Sequence, residues 1–199
     1  MGKPDTIIRF LHNFWIPEVL KTDKILELGC NCGVNLNHLR NLGYLNLYGI
    51  DINEIAITKM KEVFNEVYNN SNIYIGSLEE TLPIIPDKSI DVTFSMAVLE
   101  HIHPDTTLKV CNEIKRITKK YIITCEDEVE EIPRYNRVFP KNHKLIFEHI
   151  GCHQIKYLNN TGIQQEEGKV YLKVDDEHIN ILRNIFEYKN YTTRMFKLT

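Results

Sequence analysis

The stretch Ile25-Leu-Glu-Leu-Gly-Cys-Asn-Cys-Gly-Val-Asn35 brings together the residue types best suited to holding a polar ligand. Apolar residues flank the acid Glu27, and Gly29 and Gly33 then bracket a tight loop. A glycine lacks a Cβ, so the backbone at these two positions can approach a ligand closely and take up positive φ. A helix beginning near Gly33 would add the unpaired N–H groups of its first turn. About twenty residues further on, Asp51 closes a second apolar run, and a carboxylate so placed can accept hydrogen bonds from both hydroxyls of a ribose. The chemistry these residues suit is the binding of an adenosine.

The spacing within the loop separates the adenosine cofactors. A dinucleotide fingerprint, Gly-x-Gly-x-x-Gly, counted from Gly29 would require glycine at 31 and 34, where the chain has Asn31 and Val34. A P-loop would need a lysine after the turn, and Gly33-Val34-Asn35 supplies none. A ligand with one adenosine and no pyrophosphate fits better.

For these residues to meet, strands and helices must alternate. Lys24–Leu28, Leu45–Asp51, Asn72–Ile75, Ile90–Met96 and Tyr121–Cys125 read as strands. Between them, 33–41, Asn53–Tyr68 and Pro104–Thr118 have helical spacing, with Asn53 placed as a cap and Pro104 in a first turn. Short connections between such elements imply a parallel sheet covered on both faces, with ligands over the carboxyl ends of its strands. Further along, Asn142–Ile150 and Asp176–Tyr188 read as helices and Gln154–Leu158 as a strand. Gly162–Gly168 reads as a turn-rich excursion, and Tyr191–Leu198 as an edge-forming or inserted antiparallel strand.

Composition narrows the function classes. The 199 residues, 43% hydrophobic and 26% charged, suit one globular domain with a sizeable core, expected over 1–199. No low-complexity tract or linker divides it; a cofactor half is expected over about 20–125 and an acceptor-side half over about 126–199. A net charge of −3 without a basic stripe disfavours nucleic acid as a partner. The first ten residues resemble no signal or transit peptide and no apolar run could cross a bilayer, so the expectation is a cytoplasmic protein without a membrane partner. Five cysteines then read as reduced thiols; Cys30-Asn-Cys32 has neither zinc spacing nor a second ligand pair, so no metal is expected. The acidic run Glu126-Asp127-Glu128 reads as solvated.

Four collinear segments between about residues 24 and 125 resemble the class I S-adenosylmethionine-dependent methyltransferases. Glu27-Leu-Gly-Cys-Asn-Cys-Gly33 is similar to their Glu-x-Gly-x-Gly-x-Gly loop, with Asn31 in place of the middle glycine. Tyr48-Gly-Ile-Asp51 is similar to their second strand, and Gly76-Ser77-Leu78 to the corner beside the adenine. Ser89–Ile102 is similar to the fourth strand with its Leu-Glu-His turn. The resemblance implies a Rossmann-like α/β fold, a central and mostly parallel seven-stranded sheet with helices on both faces. It also implies S-adenosylmethionine as cofactor, S-adenosylhomocysteine as product, and methyl transfer to oxygen or nitrogen of a small-molecule acceptor. A narrower resemblance, through Val98–Asp105, Tyr121-Ile-Ile and Glu131-Ile-Pro133, is to methylases associated with pseudaminic acid biosynthesis, which would make the acceptor a sugar or sugar acid of surface glycans.

Carried over position by position, the cofactor residues are Glu27, Gly29, Asn31, Gly33, Asp51, Ile52, Ser77, Leu78 and Met96. Glu27 either orients the loop or approaches the cofactor's amino group; Ile52 forms an apolar face under adenine or serves the core. Asn tolerates left-handed backbone better than most residues, so Asn31 can keep the loop intact. His101, His143 and Glu126 are the candidate bases, His101 with the alternative of orienting the turn over the methionine end. Pro133–Phe139, with Arg134 and Arg137 about Tyr135, lies where an acceptor would enter, and Phe14 and Trp15 would form a lid or close the core. Two rival functions stay open on sequence: a nicotinamide oxidoreductase, and a non-catalytic protein that binds an adenosine ligand.

Overall fold

The structure, a computed structural model, describes residues 19–128, 138–139, 141–158, 164–166, 169–171 and 191–198. Its first half alternates strand and helix: β1 (Ile25–Leu28), α1 (Val34–Asn41), β2 (Leu47–Asp51), α2 (Glu54–Val63), α3 (Asn65–Asn70), β3 (Asn72–Ile75), α4 (Leu78–Thr81), β4 (Ile90–Met96), α5 (Pro104–Ile117) and β5 (Thr118–Asp127). The second half gives α6 (His143–His149), β6 (Cys152–Leu158), β7 (Gln164–Glu166), β8 (Lys169–Tyr171) and β9 (Tyr191–Leu198).

The strands form one sheet in the order β3-β2-β1-β4-β5-β9-β6-β7-β8. β1 to β5 are parallel, and β9 is inserted antiparallel between β5 and β6. The first seven strands in this order are the seven-stranded sheet that the resemblance implies. β7 and β8 extend it, so the turn-rich excursion expected over 162–168 contributes a strand instead. Gln164–Glu166 has no apolar alternation to announce it; backbone pairing along the open edge of β6 makes the strand.

The central strands β1 and β4 are buried on both faces, as a parallel sheet covered by helices requires, whereas the edge strand β3 is partly exposed. Ile25, Val92, Phe94, Ile123 and Met195 pack under α1 and α2 with Leu36, Leu39 and Met60. Leu26, Leu28, Ile122 and Phe196 face the other way, against Val110 and Ile114 of α5 and Phe147 of α6. Each such side chain taken from water contributes about 1.5–3 kcal/mol. The Phe147 and Phe196 rings lie 4.8 Å apart between centroids and pin α6 to the middle of the β9 insertion.

Two helix boundaries bear on the site. Asn53 caps α2 as expected, its side chain accepting the N–H groups of Ile55 and Ala56. The single helix expected through Tyr68 is broken at Phe64, whose φ of −122° and ψ of 51° leave the helical region while its side chain packs on the core. The helix expected over Asp176–Tyr188, the lid residues Phe14 and Trp15, and residues 133–137 of the acceptor loop lie outside the described residues.

Candidate active site

The loop after β1 is held by short contacts to its neighbours. Cys30 N–H donates to the Ile50 carbonyl at 2.9 Å, tying the loop to β2. Gly29 (φ 69°) and Gly33 (φ 79°) both use left-handed backbone. A Cβ on Gly29 would sit 2.3 Å from Val98 Cγ2, and one on Gly33 2.7 Å from Met60 Cγ, so neither position has room for a side chain. Asn31 adopts φ 48°, and its amide oxygen accepts the Cys32 N–H at 2.7 Å, a local bond the family's usual glycine could not make.

Glu27 points from β1 to the same face as Ile25, toward α1. There Asn35 Nδ2 donates to its Oε1 at 2.6 Å, while Oε2 is buried without a hydrogen-bond partner among the described residues. The side chain is 2% exposed, and burial pushes its carboxyl up to about 8, with the Asn35 bond opposing the rise and the Asp51 charge adding to it.

Asp51, the last residue of β2, is fixed from both sides. Its Oδ2 accepts the Asn31 N–H at 2.7 Å and its Oδ1 accepts the Asn53 N–H at 2.8 Å. Each oxygen keeps acceptor capacity toward the space above the strand ends. Ile52 beside it is 70% exposed, the condition for an apolar surface awaiting a flat ligand. Across the gap, Gly76 N–H bonds the Asp51 carbonyl at 3.0 Å, and Ser77 opens α4 through a capping box with Glu80.

These elements enclose a pocket of about 760 Å³, within the usual range for small-molecule sites. Gly29, Asn31, Asp51 and Ile52 line one side; Ser77, Leu78, Met96 and His101 line the rest. Glu27 and Gly33 do not line it, and support the loop from below. Among the pocket residues that sequence reading passed over are Asn35, Glu79, Ala97, Val98 and His103. Asn35, Ala97, Val98 and His103 lie within segments that the resemblance covers but are given no role there; the left-handed backbone of Ala97, at φ 55°, shows only once the turn after β4 is folded.

The candidate bases are placed differently from one another. His101 faces the pocket with its side chain about half exposed, Nε2 3.6 Å from Oε1 of the buried Glu100. Glu126 and His143 are fully buried and outside the lining. Glu126, expected in a solvated acidic run, instead accepts the N–H groups of Val98 at 2.9 Å and Glu100 at 3.3 Å. His143 Nδ1 lies 3.1 Å from Glu128 Oε1, and Glu128 also receives a two-pronged pair from Arg194. So Glu128 too is taken out of water by its partners. Among the described residues no group of His, Cys, Asp or Glu is arranged to hold a metal, and no helix is long and apolar enough to cross a membrane.

Residues 26–121, which contain the loop, Asp51 and the turn after β4, match the model of a methyltransferase domain family. Over these residues the chain is similar to that family, and its sheet has the Rossmann-like methyltransferase fold. S-adenosylmethionine is the cofactor that the resemblance implies and the family match supports, against the nicotinamide alternative that the loop spacing already disfavours. An uncharacterised methyltransferase of Schizosaccharomyces pombe is 26% identical over 139 residues, 66% of this chain and 48% of that protein. The chain thus spans about half the length of this curated relative. Among solved structures, an S-adenosylmethionine-dependent methyltransferase from Archaeoglobus fulgidus superposes with a TM-score of 0.67 at 20% identity, covering 98% of this chain and 95% of that one. A geranyl diphosphate methyltransferase in complex with S-adenosylmethionine gives a TM-score of 0.72 at 10% identity over 98% and 85% of the two chains. At these identities the likeness is one of fold.

Proposed function

We propose that the protein transfers a methyl group from S-adenosylmethionine to a small molecule, and that the pocket over β1, β2 and β4 is where it does so. The observation that carries this reading is Asp51: a carboxylate whose two oxygens are each held by one backbone N–H and turned toward a pocket of adenosine size. Asp51 accepts the two ribose hydroxyls, Ile52 and Leu78 flank the adenine, and Gly29 lets the chain pass close beneath the sulfur end. The Asn31 side-chain amide and the N–H groups of the first turn of α1 offer donors to the carboxylate of the methionine moiety. When bound, the cofactor supplies an electrophilic methyl carbon on a sulfonium.

The chain's own task is then alignment, holding an acceptor atom in line with that carbon at about 3–3.5 Å. His101, whose Nε2 lies 3.6 Å from Glu100 Oε1, takes the proton of a hydroxyl acceptor. A small acceptor agrees with the net charge of −3 and with the geranyl diphosphate enzyme among the fold relatives. The resemblance of Val98–Asp105 and Glu131–Pro133 to pseudaminic acid-associated methylases favours a sugar or sugar acid methylated on oxygen or nitrogen. Five free thiols agree with a cytosolic place of work.

The test is calorimetric titration with S-adenosylhomocysteine, followed by transfer of labelled methyl from the cofactor to a panel of sugar acids, with DNA and RNA as controls. Wild type should bind, and Asp51→Ala should bind about a hundredfold more weakly, the loss of two charge-assisted hydrogen bonds. Equal affinity of the two proteins would remove Asp51 from the site. Binding without label transfer to any acceptor would favour the non-catalytic adenosine binder.

A further inference from the structure

The turn after β4 is held in place from the neighbouring strand. Ala97 N–H donates to the Cys125 carbonyl at 2.9 Å, and Glu126, the next residue of β5, uses a single carboxylate oxygen to accept the N–H groups of both Val98 and Glu100. The turn so fixed is the wall of the pocket. Val98 fills the space a Cβ on Gly29 would need, and His101 follows within the same 3₁₀ turn, Leu99–His101. The outer side of this turn is tied as well: Lys141 Nζ donates to the Leu99 carbonyl at 2.9 Å and Phe139 N–H to the Glu100 carbonyl at 2.7 Å.

A fully buried carboxylate with no solvent contact is expensive, and it persists where its removal costs a needed geometry. Glu126 meets that condition. The two backbone N–H groups meet on Oε2, while Oε1 is turned into the buried interior. Burial pushes its carboxyl up, and the charge of His143 pulls against that rise. Ala97, at φ 55°, also needs outside support, because a residue with a Cβ does not hold left-handed backbone unaided.

We infer that Glu126 is a positioning residue of the methyltransferase site: by clamping the Val98 and Glu100 amides from β5 it sets the pocket wall against Gly29 and aims His101, an inference that rests on the function proposed above. It does not touch cofactor or acceptor. Its contribution therefore lies in the oxygen that accepts, which a glutamine also carries and a methionine of similar length does not.

The experiment is residue-resolved amide exchange on wild type, Glu126→Gln and Glu126→Met, with S-adenosylhomocysteine affinity and kcat and KM on each. In Glu126→Met the Val98 and Glu100 amides should exchange at least about tenfold faster, while amides of the central strand β1 stay protected. Cofactor KM should rise and kcat fall with them, and Glu126→Gln should restore protection and kinetics together to within a few-fold. A methionine variant with wild-type affinity and kcat would overturn the inference, as would a glutamine variant no better than methionine. Should the methionine variant not fold, wild type still decides the matter: Val98 and Glu100 amides exchanging as freely as exposed ones would refute the clamp. A wild type that binds no S-adenosylhomocysteine would defeat the cofactor reading and this inference with it, and is told apart because it precedes any variant.

Discussion

Replacing Glu27 by glutamine should make the protein less sensitive to alkali. The side chain is 2% exposed, receives one hydrogen bond from Asn35 Nδ2, and is pushed from the ordinary 4.5 up to about 8, chiefly by burial. Below pH 4.5 folded and unfolded chains both hold the proton. Between about 4.5 and about 8 only the folded chain does, so stability falls as pH rises through that window and the loss is complete above it. The whole interval corresponds to roughly 5 kcal/mol, and the part between about pH 5.5 and about pH 9 to roughly 3 kcal/mol. Glutamine keeps an oxygen for the Asn35 bond and has no charge to bury, so it removes this dependence. Urea unfolding of both proteins at the two pH values, without ligand, measures the difference directly. The advantage of Glu27→Gln over wild type should grow by about 3 kcal/mol from the lower pH to the higher. Parallel pH profiles for the two proteins would show that Glu27 does not carry a buried charge, and would refute the account of the loop's underside given above.

The other predictions concern the loop, the second-half ion pair and the ribose acid. Gly29→Ala places a methyl carbon 2.3 Å from Val98 Cγ2 at a backbone of φ 69°, so it should destabilise by about 1–3 kcal/mol and weaken S-adenosylhomocysteine binding. Adding Val98→Ala should recover part of the stability, and thermal denaturation of the single and double variants gives the coupling. Glu128, 9% exposed, is pushed up by burial but held below the ordinary carboxylate range by hydrogen bonds from His143 and Arg194. Its stabilisation should be present at neutral pH and lost as acidification protonates it, and Glu128→Gln, which strands Arg194, should cost about 3–5 kcal/mol in urea unfolding. Asp51→Asn should weaken cofactor binding less than Asp51→Ala, since an amide oxygen can still accept one ribose hydroxyl, and the same calorimetry measures both.

How far the site could be read from sequence depended on whether each residue's partner lay close by in the chain. Asp51 and the glycine loop were legible because strand, turn and helix follow one another and the chemistry sits at their junctions. The cap at Asn53 and the first-turn Pro104 were legible for the same reason. The break at Phe64 was not, since it is set by packing of that ring against the core rather than by any turn residue. Glu126 and Glu128 look alike in sequence, members of one acidic run, and nothing local tells that one meets the Val98 and Glu100 amides and the other Arg194, 66 residues further on. His143 was visible as a titratable group, but its burial follows from the α6 packing on β9 that brings Glu128 and Arg194 to it.

The arrangement of buried acids says why this fold holds its pocket so firmly. Glu27, Glu100 and Glu126 lie on β1, in the turn after β4 and near the end of β5, all at the carboxyl side of adjacent strands, and all are at most 2% exposed. Buried ionisable groups are seldom the most stabilising way to fill a core. Leucine at 126, however, would leave the Val98 and Glu100 amides without their acceptor, and leucine at 27 would release Asn35. Glu126 exchanges some stability for a fixed backbone at the rim of the pocket, and Glu27 holds the Asn35 side chain. For methyl transfer that exchange is reasonable: the reaction draws its barrier reduction mainly from alignment, and misplacing the acceptor by about 1 Å can cost a hundredfold in rate. A rigid rim delivers that alignment where a looser, more stable one would not.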